Sequence, residues 1–126
     1  MGAFSLEKAE RILKRDDFKR LFRCGKKIYG DHFVVYYCRN NLGMWRMGVT
    51  VSKRVGRAVI RNRVKRLVRE SFRLSKALRD NAYDMNIIAR TGAAKLSFQE
   101  TNQALGNIFR EISKDCNYEA HALGTH

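Results

Sequence analysis

The basic stretch over residues 53–73 most constrains how this chain can fold. Its apolar residues recur at helical spacing, which predicts a helix from about Ala58 to about Leu78 with one inward stripe. That stripe consists of Ile60, Val64, Leu67, Val68, Ser71 and Phe72. The opposite side of the predicted helix carries Asn62, Lys65, Arg66, Arg69 and Arg73. Arg61 and Arg63 lie on either side of the stripe. One face of the predicted helix therefore packs on the core, and the opposite face carries the cations.

The segment before this helix predicts a short helix and a strand group. The first helix begins at Asp16-Asp17, which are good N-cap residues, and stops at Gly25. Residues 28–39 are rich in aromatic and β-branched side chains, as strands are. Turn residues at 40–43 then predict a hairpin whose return arm spans residues 44–52.

The segment after the basic helix predicts one more strand and one more helix. Residues 83–90 have strand character, and Ser97 with Glu100 forms a capping box. The last helix then carries an inward stripe of Leu105, Ile108, Phe109 and Ile112. The order helix, strand group, helix, strand, helix predicts an α/β or α+β single domain with its helices packed on a small sheet.

The charge of the chain predicts a polyanionic partner. The 126 residues carry a formal charge of +14, and 44% of them are hydrophobic, which excludes an acidic disordered chain. Residues 53–73 hold nine cations and one acid, so salt bridges within the helix cannot neutralise them. Seven of the nine are arginines, which bind phosphate bidentately and stack on bases. This favours nucleic acid over a membrane surface.

Aromatic residues beside cations give a second signal, centred on Phe18, Phe22 and Tyr36. Such residues can stack unpaired bases while the cations follow the RNA backbone. Packing in the core is the alternative for more than half of the aromatic residues nearby. Tyr36 shares its strand face with Val34 and Cys38, opposite Phe33, so only one of these faces can meet a ligand.

The sequence gives little sign of protein catalysis or of a metal site. None of the common hydrolase, metalloprotease or phosphate-loop motifs occurs. The cysteines and histidines are scattered without metal-ligand spacing. Asp16-Asp17 could ligate a metal, but adjacent acids at a helix start are more often caps. No apolar run reaches the ~20 residues of a membrane span, so a soluble, cytoplasmic protein is expected.

Residues 52–73 closely resemble the signature of the bacterial ribonuclease P protein family. The resemblance is carried by Arg61-Asn62-Arg63, by the cations that follow it, and by Ser52-Lys53-Arg54 and Gly56 before it. It extends to roughly residues 11–114, through Asp17-Phe18, Gly48-Val49-Thr50-Val51 and Ile88-Ala89-Arg90. An ordered core of about 11–116 with flexible termini is therefore expected.

The resemblance implies a subunit of an endoribonuclease. Such a protein joins a large RNA that uses Mg²⁺ to cleave the 5′ leader from precursor tRNA. The RNA is the catalyst and holds the metal, so no catalytic residue is expected in the protein, which alone is expected to be a monomer. The implied fold is an αβββαβα two-layer sandwich like domain 2 of ribosomal protein S5, with a left-handed βαβ crossover.

The resemblance also implies two sets of contact residues. Contacts to the catalytic RNA are expected from Lys53, Arg54, Arg57, Arg61, Asn62, Arg63, Lys65, Arg66 and Arg69. A cleft for the single-stranded leader is expected from Arg15, Phe18, Phe22 and Tyr36. Two other classes share the charge pattern: a structural, ribosome-associated RNA-binding protein, and a DNA-architectural protein. A DNA-architectural protein agrees less well with the aromatic residues, because exposed aromatic residues favour unpaired bases.

Overall fold

The computed structural model of the chain describes residues 14–40, 42–75 and 82–124. Its helices are α1 (Arg15–Cys24), α2 (Ala58–Leu74) and α3 (Phe98–Gly124). Its strands are β1 (Lys26–Tyr29), β2 (Phe33–Arg39), β3 (Arg46–Thr50) and β4 (Tyr83–Ala89), and a 3-10 helix spans Thr91–Lys95. This αβββαβα order confirms the predicted α+β class.

The four strands form one mixed sheet in the order β1-β2-β4-β3. Strands β1 and β2 are antiparallel, β2 and β4 are antiparallel, and β3 and β4 are parallel. The predicted hairpin between residues 28–39 and 44–52 is therefore wrong, because β4 lies between these two segments. Alternation of side chains specifies which face of a strand is buried but not which strand lies beside it. The continuous burial of β4 from Tyr83 to Ile87 fits its central position.

The segment predicted as one strand over residues 28–39 is in fact a hairpin of β1 and β2. The chain reverses at Gly30, whose N–H donates to the Phe33 carbonyl at 2.8 Å. A Cβ at Gly30 would lie only 3.0 Å from that same oxygen. The strand prediction therefore found the right residue types but missed the turn between them.

The two faces of the sheet have different partners. Phe33, Val35 and Tyr37 of β2 are buried in the main core, and α2 and α3 pack together on that side. The other face carries Tyr36 and is partly covered by α1, which contacts β2 and β4. The predicted face assignment of Tyr36 is thus confirmed.

The ends of two helices differ from the prediction. Helix α1 has Lys14 at its N-cap, and Asp17, at the third helical position, accepts a hydrogen bond from the Lys14 N–H at 2.9 Å. The two aspartates thus lie inside the first turn. Helix α2 ends at Leu74, because Ser75 is extended and its N–H bonds to the Phe72 carbonyl. The rest of that predicted helix, residues 76–78, lies outside the described residues.

Two further predictions concern the ends of the chain and the membrane. The termini that are expected to be flexible are residues 1–10 and 117–126. Residues 1–10 and 125–126 lie outside the described residues, and residues 117–124 continue α3. Within the described ranges, no helix combines the length and the apolar character needed to cross a bilayer. The handedness of the β3–α2–β4 crossover and the likeness to domain 2 of ribosomal protein S5 stay predictions.

Candidate nucleic-acid interface

The first candidate surface is the outer side of α2 with the loop before it, residues 51–57, which we call the basic loop. The inward residues Val64, Val68, Ser71 and Phe72 are buried, which leaves the cations on the outside. Six of the nine predicted RNA contacts are exposed: Lys53, Arg54, Arg57, Asn62, Arg66 and Arg69. The basic loop and α2 therefore form one continuous cationic surface.

Three predicted RNA contacts, Arg61, Arg63 and Lys65, are only partly exposed. The guanidinium of Arg63 donates to the Leu96 carbonyl at 2.9 Å and to the Ala94 carbonyl at 3.4 Å. Arg63 thus joins α2 to the end of the 3-10 helix. Nε of Arg61 is buried and meets no hydrogen-bond acceptor in the described part of the chain. The protein itself therefore uses Arg63, and this limits what Arg63 can offer to RNA.

The one acid of the basic stretch does not neutralise the predicted contacts. Glu70 accepts two hydrogen bonds from Arg73, one of them at 3.2 Å from Nε. The Arg73 hydrogen bonds hold the pKa of Glu70 below its ordinary value. Glu70 is paired with Arg73 and not with Arg66 or Arg69, and both of these arginines are exposed to an external anion.

The second candidate surface, the aromatic cleft, consists of Arg15, Phe18, Phe22 and Tyr36. Arg15, Phe18 and Phe22 are spaced three and four residues apart, so they share one side of α1. The ring of Phe22 lies 4.7 Å from that of Tyr36 and is tilted by 59°. Phe22 remains 58% exposed despite this contact, whereas Phe18 is half-buried. The structure therefore brings Phe22 and Tyr36 together at the surface, as a stacking site requires.

The turn from α1 to β1 fixes the position of this cleft. Helix α1 stops at Gly25, where an added Cβ would lie 2.5 Å from the Leu21 carbonyl oxygen. Leu21 itself is buried on the inner side of α1. The same Cβ would lie 3.1 Å from the Tyr37 carbonyl oxygen of β2, so a larger residue at Gly25 would disturb the close approach of the end of α1 to the sheet.

Lys27 on β1 adds a cation to the aromatic cleft. Its Nζ lies 5.0 Å from the centre of the Tyr36 ring and 4.3 Å from that of Tyr29. These distances are within the range of cation–π attraction. Side-chain interactions with Tyr29 and then Tyr36 raise the pKa of Lys27, and a lysine is charged at neutral pH even without this shift. In the sequence, Lys27 is one of the cations beside the aromatic residues that are expected to follow a nucleic-acid backbone, but it is not among the residues expected to line the leader cleft.

A buried ionic network beneath α1 was not predicted. The Asp84 carboxylate on β4 is fully buried and binds Arg20 of α1, Arg46 of β3 and Asn40. Arg46 also reaches Asp17 at 3.1 Å. The sequence signal was an acid inside a largely apolar strand, since buried acids need partners. The network joins α1 to the sheet and so positions the aromatic cleft.

This network also changes the roles of two charged residues of α1. Arg20 stands among the cations beside the aromatic residues in the sequence, but it is committed to Asp84 and lies 3.5 Å from Cys38 Sγ. Burial raises the pKa of Asp17, but the Lys14 N–H and the Arg46 guanidinium outweigh this effect and leave the pKa below its ordinary value. Both residues therefore help to hold α1 against the sheet.

The described residues do not offer a donor set for a metal ion. No group of three or more histidines, cysteines and acids comes together among them. Two acids beneath α1, Asp17 and Asp84, already accept hydrogen bonds from Arg46, which competes with a cation. The Mg²⁺ implied by the family resemblance therefore does not fit these residues.

The register of the sheet connects the two candidate surfaces. On the α1 side, Tyr29, Val34, Ile88 and Thr50 lie side by side across the four strands, and we call them the end row. The basic loop begins directly after Thr50. The hydroxyl of Thr50 donates to the Oδ1 of the buried Asn86 at 3.0 Å, which fixes this corner of the sheet. The aromatic cleft and the basic loop therefore border the same stretch of open sheet.

Known proteins resemble this chain in both sequence and fold. Residues 6–113 match the Ribonuclease P family. The ribonuclease P protein component of Desulforapulum autotrophicum is 43% identical over 89% of this chain and 96% of its own length. That of Geotalea uraniireducens is 40% identical over 90% of this chain and all of its own length.

Solved structures agree with these relatives. The RNase P protein of Staphylococcus aureus superposes with a TM-score of 0.76 at 36% identity and covers 83% of this chain and 96% of its own. That of Thermotoga maritima gives 0.73 at 31% identity, over 81% of this chain and 96% of its own. The predicted family is thus confirmed, and the matched range begins five residues earlier than expected. The chain belongs to the bacterial ribonuclease P protein family and is a protein subunit that acts with an RNA subunit in the 5′ processing of tRNA.

Proposed function

We propose that this chain is the non-catalytic subunit of its ribonuclease P and binds two RNAs at once. The basic loop and α2 bind the catalytic RNA, and the aromatic cleft binds the single-stranded 5′ leader of precursor tRNA. The observation that carries the proposal is the exposed contact of Phe22 with Tyr36 beside the cations of α1 and β1. Unpaired bases stack on such rings, at about 1–3 kcal/mol per base.

The two surfaces account for a preference for substrate over product. A protein of charge +14 between two polyanions reduces their mutual repulsion, whichever form of the tRNA is present. The aromatic cleft adds affinity only when a leader is attached. Precursor tRNA is therefore held more tightly than mature tRNA, which lacks the leader.

We assign both the chemistry and the Mg²⁺ to the RNA subunit. Asp17 and Asp84 are both bound by Arg46, and Asp84 is fully buried as well, so neither of these two acids is free to act as an acid, a base or a metal ligand. The role of this chain is to bind, to orient the leader and to lower electrostatic repulsion. Because tRNA precursors are processed where they are made, we place the protein in the cytoplasm.

The decisive experiment is multiple-turnover cleavage of a precursor tRNA at low Mg²⁺, with a bacterial ribonuclease P RNA alone and with this protein added. Cleavage at the mature 5′ end that depends on the protein supports the proposal. Tight binding of the RNA without any gain in cleavage would assign the chain to the structural RNA-binding class instead.

Variants separate the two surfaces in the same assay. Phe22→Ala should weaken binding of precursor tRNA and leave assembly with the RNA subunit unchanged. Arg66→Ala combined with Arg69→Ala should weaken assembly and flatten its salt dependence. Arg110→Ala combined with Lys114→Ala, which removes two exposed cations of α3, is the matched charge control. Equal losses in both assays for both sets would contradict the division of roles.

A further inference from the structure

Tyr29 is a large aromatic residue that the fold leaves uncovered. It ends β1, the edge strand of the sheet, and its side chain is 68% exposed. Tyr29 pairs with Val34 and Lys27 pairs with Tyr36, so Tyr29 and Tyr36 are diagonal neighbours on the same face. Diagonal neighbours lie about 7–8 Å apart, so one stacking surface can continue from Tyr36 to Tyr29.

Lys27 joins these two aromatic residues. Its Nζ lies 4.3 Å from the Tyr29 ring centre and 5.0 Å from the Tyr36 ring centre. A cation between two rings can contact a phosphate group while the neighbouring bases stack on the rings. Lys27, Tyr29 and Tyr36 therefore combine the two groups that single-stranded RNA needs.

The turn after Tyr29 is held firmly. The Arg90 side chain donates to the Gly30 carbonyl at 3.1 Å, and the Arg90 N–H donates to the His32 carbonyl at 2.9 Å. These bonds fix the turn to the end of β4. Tyr29 is thus presented from a fixed backbone rather than from a loose loop, which lowers the entropy cost of binding.

The end row shows the order in which an RNA strand that crosses the sheet would meet the candidate residues. It begins at Thr50, beside the basic loop, and ends at Tyr29 on the opposite edge of the sheet. These edges are three strand spacings apart, roughly 14 Å. An RNA strand that enters beside the basic loop and crosses the sheet reaches Phe22 and Tyr36 first and Tyr29 last.

We propose that Lys27 and Tyr29 form a distal site of the aromatic cleft, which stacks a leader nucleotide farther from the cleavage position than the nucleotide held by Phe22 and Tyr36. This inference rests on the proposed function, since it extends the path of the same leader. Continuity with the aromatic cleft and the positive charge of Lys27 select unpaired RNA as the occupant. The distal site makes affinity depend on leader length.

The test uses the complete ribonucleoprotein and precursor tRNAs whose leaders are lengthened one nucleotide at a time. Dissociation constants are measured for the unmodified protein, for Phe22→Ala and for Tyr29→Ala. Phe22→Ala should lose affinity from a short leader onward. Tyr29→Ala should match the unmodified protein on short leaders and lose roughly 5- to 100-fold once the leader reaches the distal site.

Two further variants support the assignment of a stacking role. Tyr29→Phe keeps the ring and should retain the affinity for long leaders. Leu42→Ala removes another exposed apolar residue, in the loop between β2 and β3, and should have no effect at any leader length. Lys27→Ala should weaken binding only of the long leaders and should reduce the salt dependence of that binding.

The outcomes distinguish failure of this inference from failure of the proposed function. If Phe22→Ala loses affinity and Tyr29→Ala does not at any leader length, the distal site is refuted and the aromatic cleft stands. If neither variant has an effect, leader binding by this face is refuted as a whole. An equal loss for mature tRNA and for all precursors with Tyr29→Ala would show a role unrelated to the leader.

Discussion

Arg46 binds the buried carboxylate of Asp84 through two hydrogen bonds, from Nε to Oδ1 at 2.9 Å and from Nη2 to Oδ2 at 2.7 Å. The pair joins the parallel strands β3 and β4 on the side of the sheet that α1 covers. Since Arg20 of α1 binds the same carboxylate, the position of the aromatic cleft depends on this pair.

Arg46→Ala should destabilise the protein by roughly 3 kcal/mol, because it leaves the buried Asp84 carboxylate with fewer partners. The free energy of unfolding in urea measures the effect. Arg66→Ala, on the exposed side of α2, is the control and should change stability by less than about 0.5 kcal/mol. Equal stabilities for the two variants would show that the network contributes nothing to folding.

Asp17 should contribute to the acid sensitivity of the fold. Although burial raises the pKa of Asp17, its bonds to Lys14 and Arg46 lower it below the unfolded value of about 3.9. The contribution to stability is therefore complete above the unfolded pKa and is lost as the pH falls through the folded pKa. Unfolding free energies of the unmodified protein and of Asp17→Asn should converge between pH 5 and pH 2. A constant difference over that range would contradict this prediction.

Substitution of Arg63 and substitution of Arg66 should have different effects on stability and on RNA binding, although both residues lie on α2. Arg63→Ala removes two hydrogen bonds to the carbonyls of Ala94 and Leu96 and should cost about 1–3 kcal/mol of stability. Arg66→Ala should leave stability unchanged and reduce the slope of RNA affinity against salt by about 1. Urea unfolding and RNA binding at several salt concentrations separate the effects. A stable Arg63→Ala variant with a reduced salt slope would restore Arg63 as a direct RNA contact.

The capping box of α3 should contribute measurably to stability. The Glu100 N–H donates to Ser97 Oγ at 3.1 Å, and the Ser97 N–H donates to Glu100 Oε1 at 3.0 Å. Ser97→Ala should cost about 1 kcal/mol of unfolding free energy, and Ser97→Asp should restore most of it. Failure of Ser97→Asp to recover stability would show that the loss does not arise from capping.

The helices could be predicted because their signals are local. The inward stripe of α2, the capping box at Ser97 and the burial of Leu105, Ile108, Phe109 and Ile112 all follow from spacing within one segment. The contact of Phe22 with Tyr36 was expected only through the family resemblance. Without the resemblance, packing in the core was the favoured explanation for more than half of the aromatic residues in this region.

The features that sequence reasoning missed depend on distant segments. Nothing near residues 28–52 indicates that β4 lies between β2 and β3, because the pattern of a strand does not name its neighbours. Asp84 finds Arg20 and Arg46 only after three separate segments meet. Arg63 was placed correctly at the flank of the apolar stripe, but its carbonyl partners come from residues 94 and 96.

The central position of β4 determines when the sheet can form during synthesis of the chain. The edges of β2 and β3 that face β4 can form their native pairs only after residues 83–89 have been synthesised. This pairing joins distant parts of the chain, and such long-range contacts slow folding. The basic stretch over residues 53–73 leaves the ribosome before this strand does. A nascent chain therefore displays its cations before it has an aromatic cleft, and it can attract RNA before it can recognise a leader.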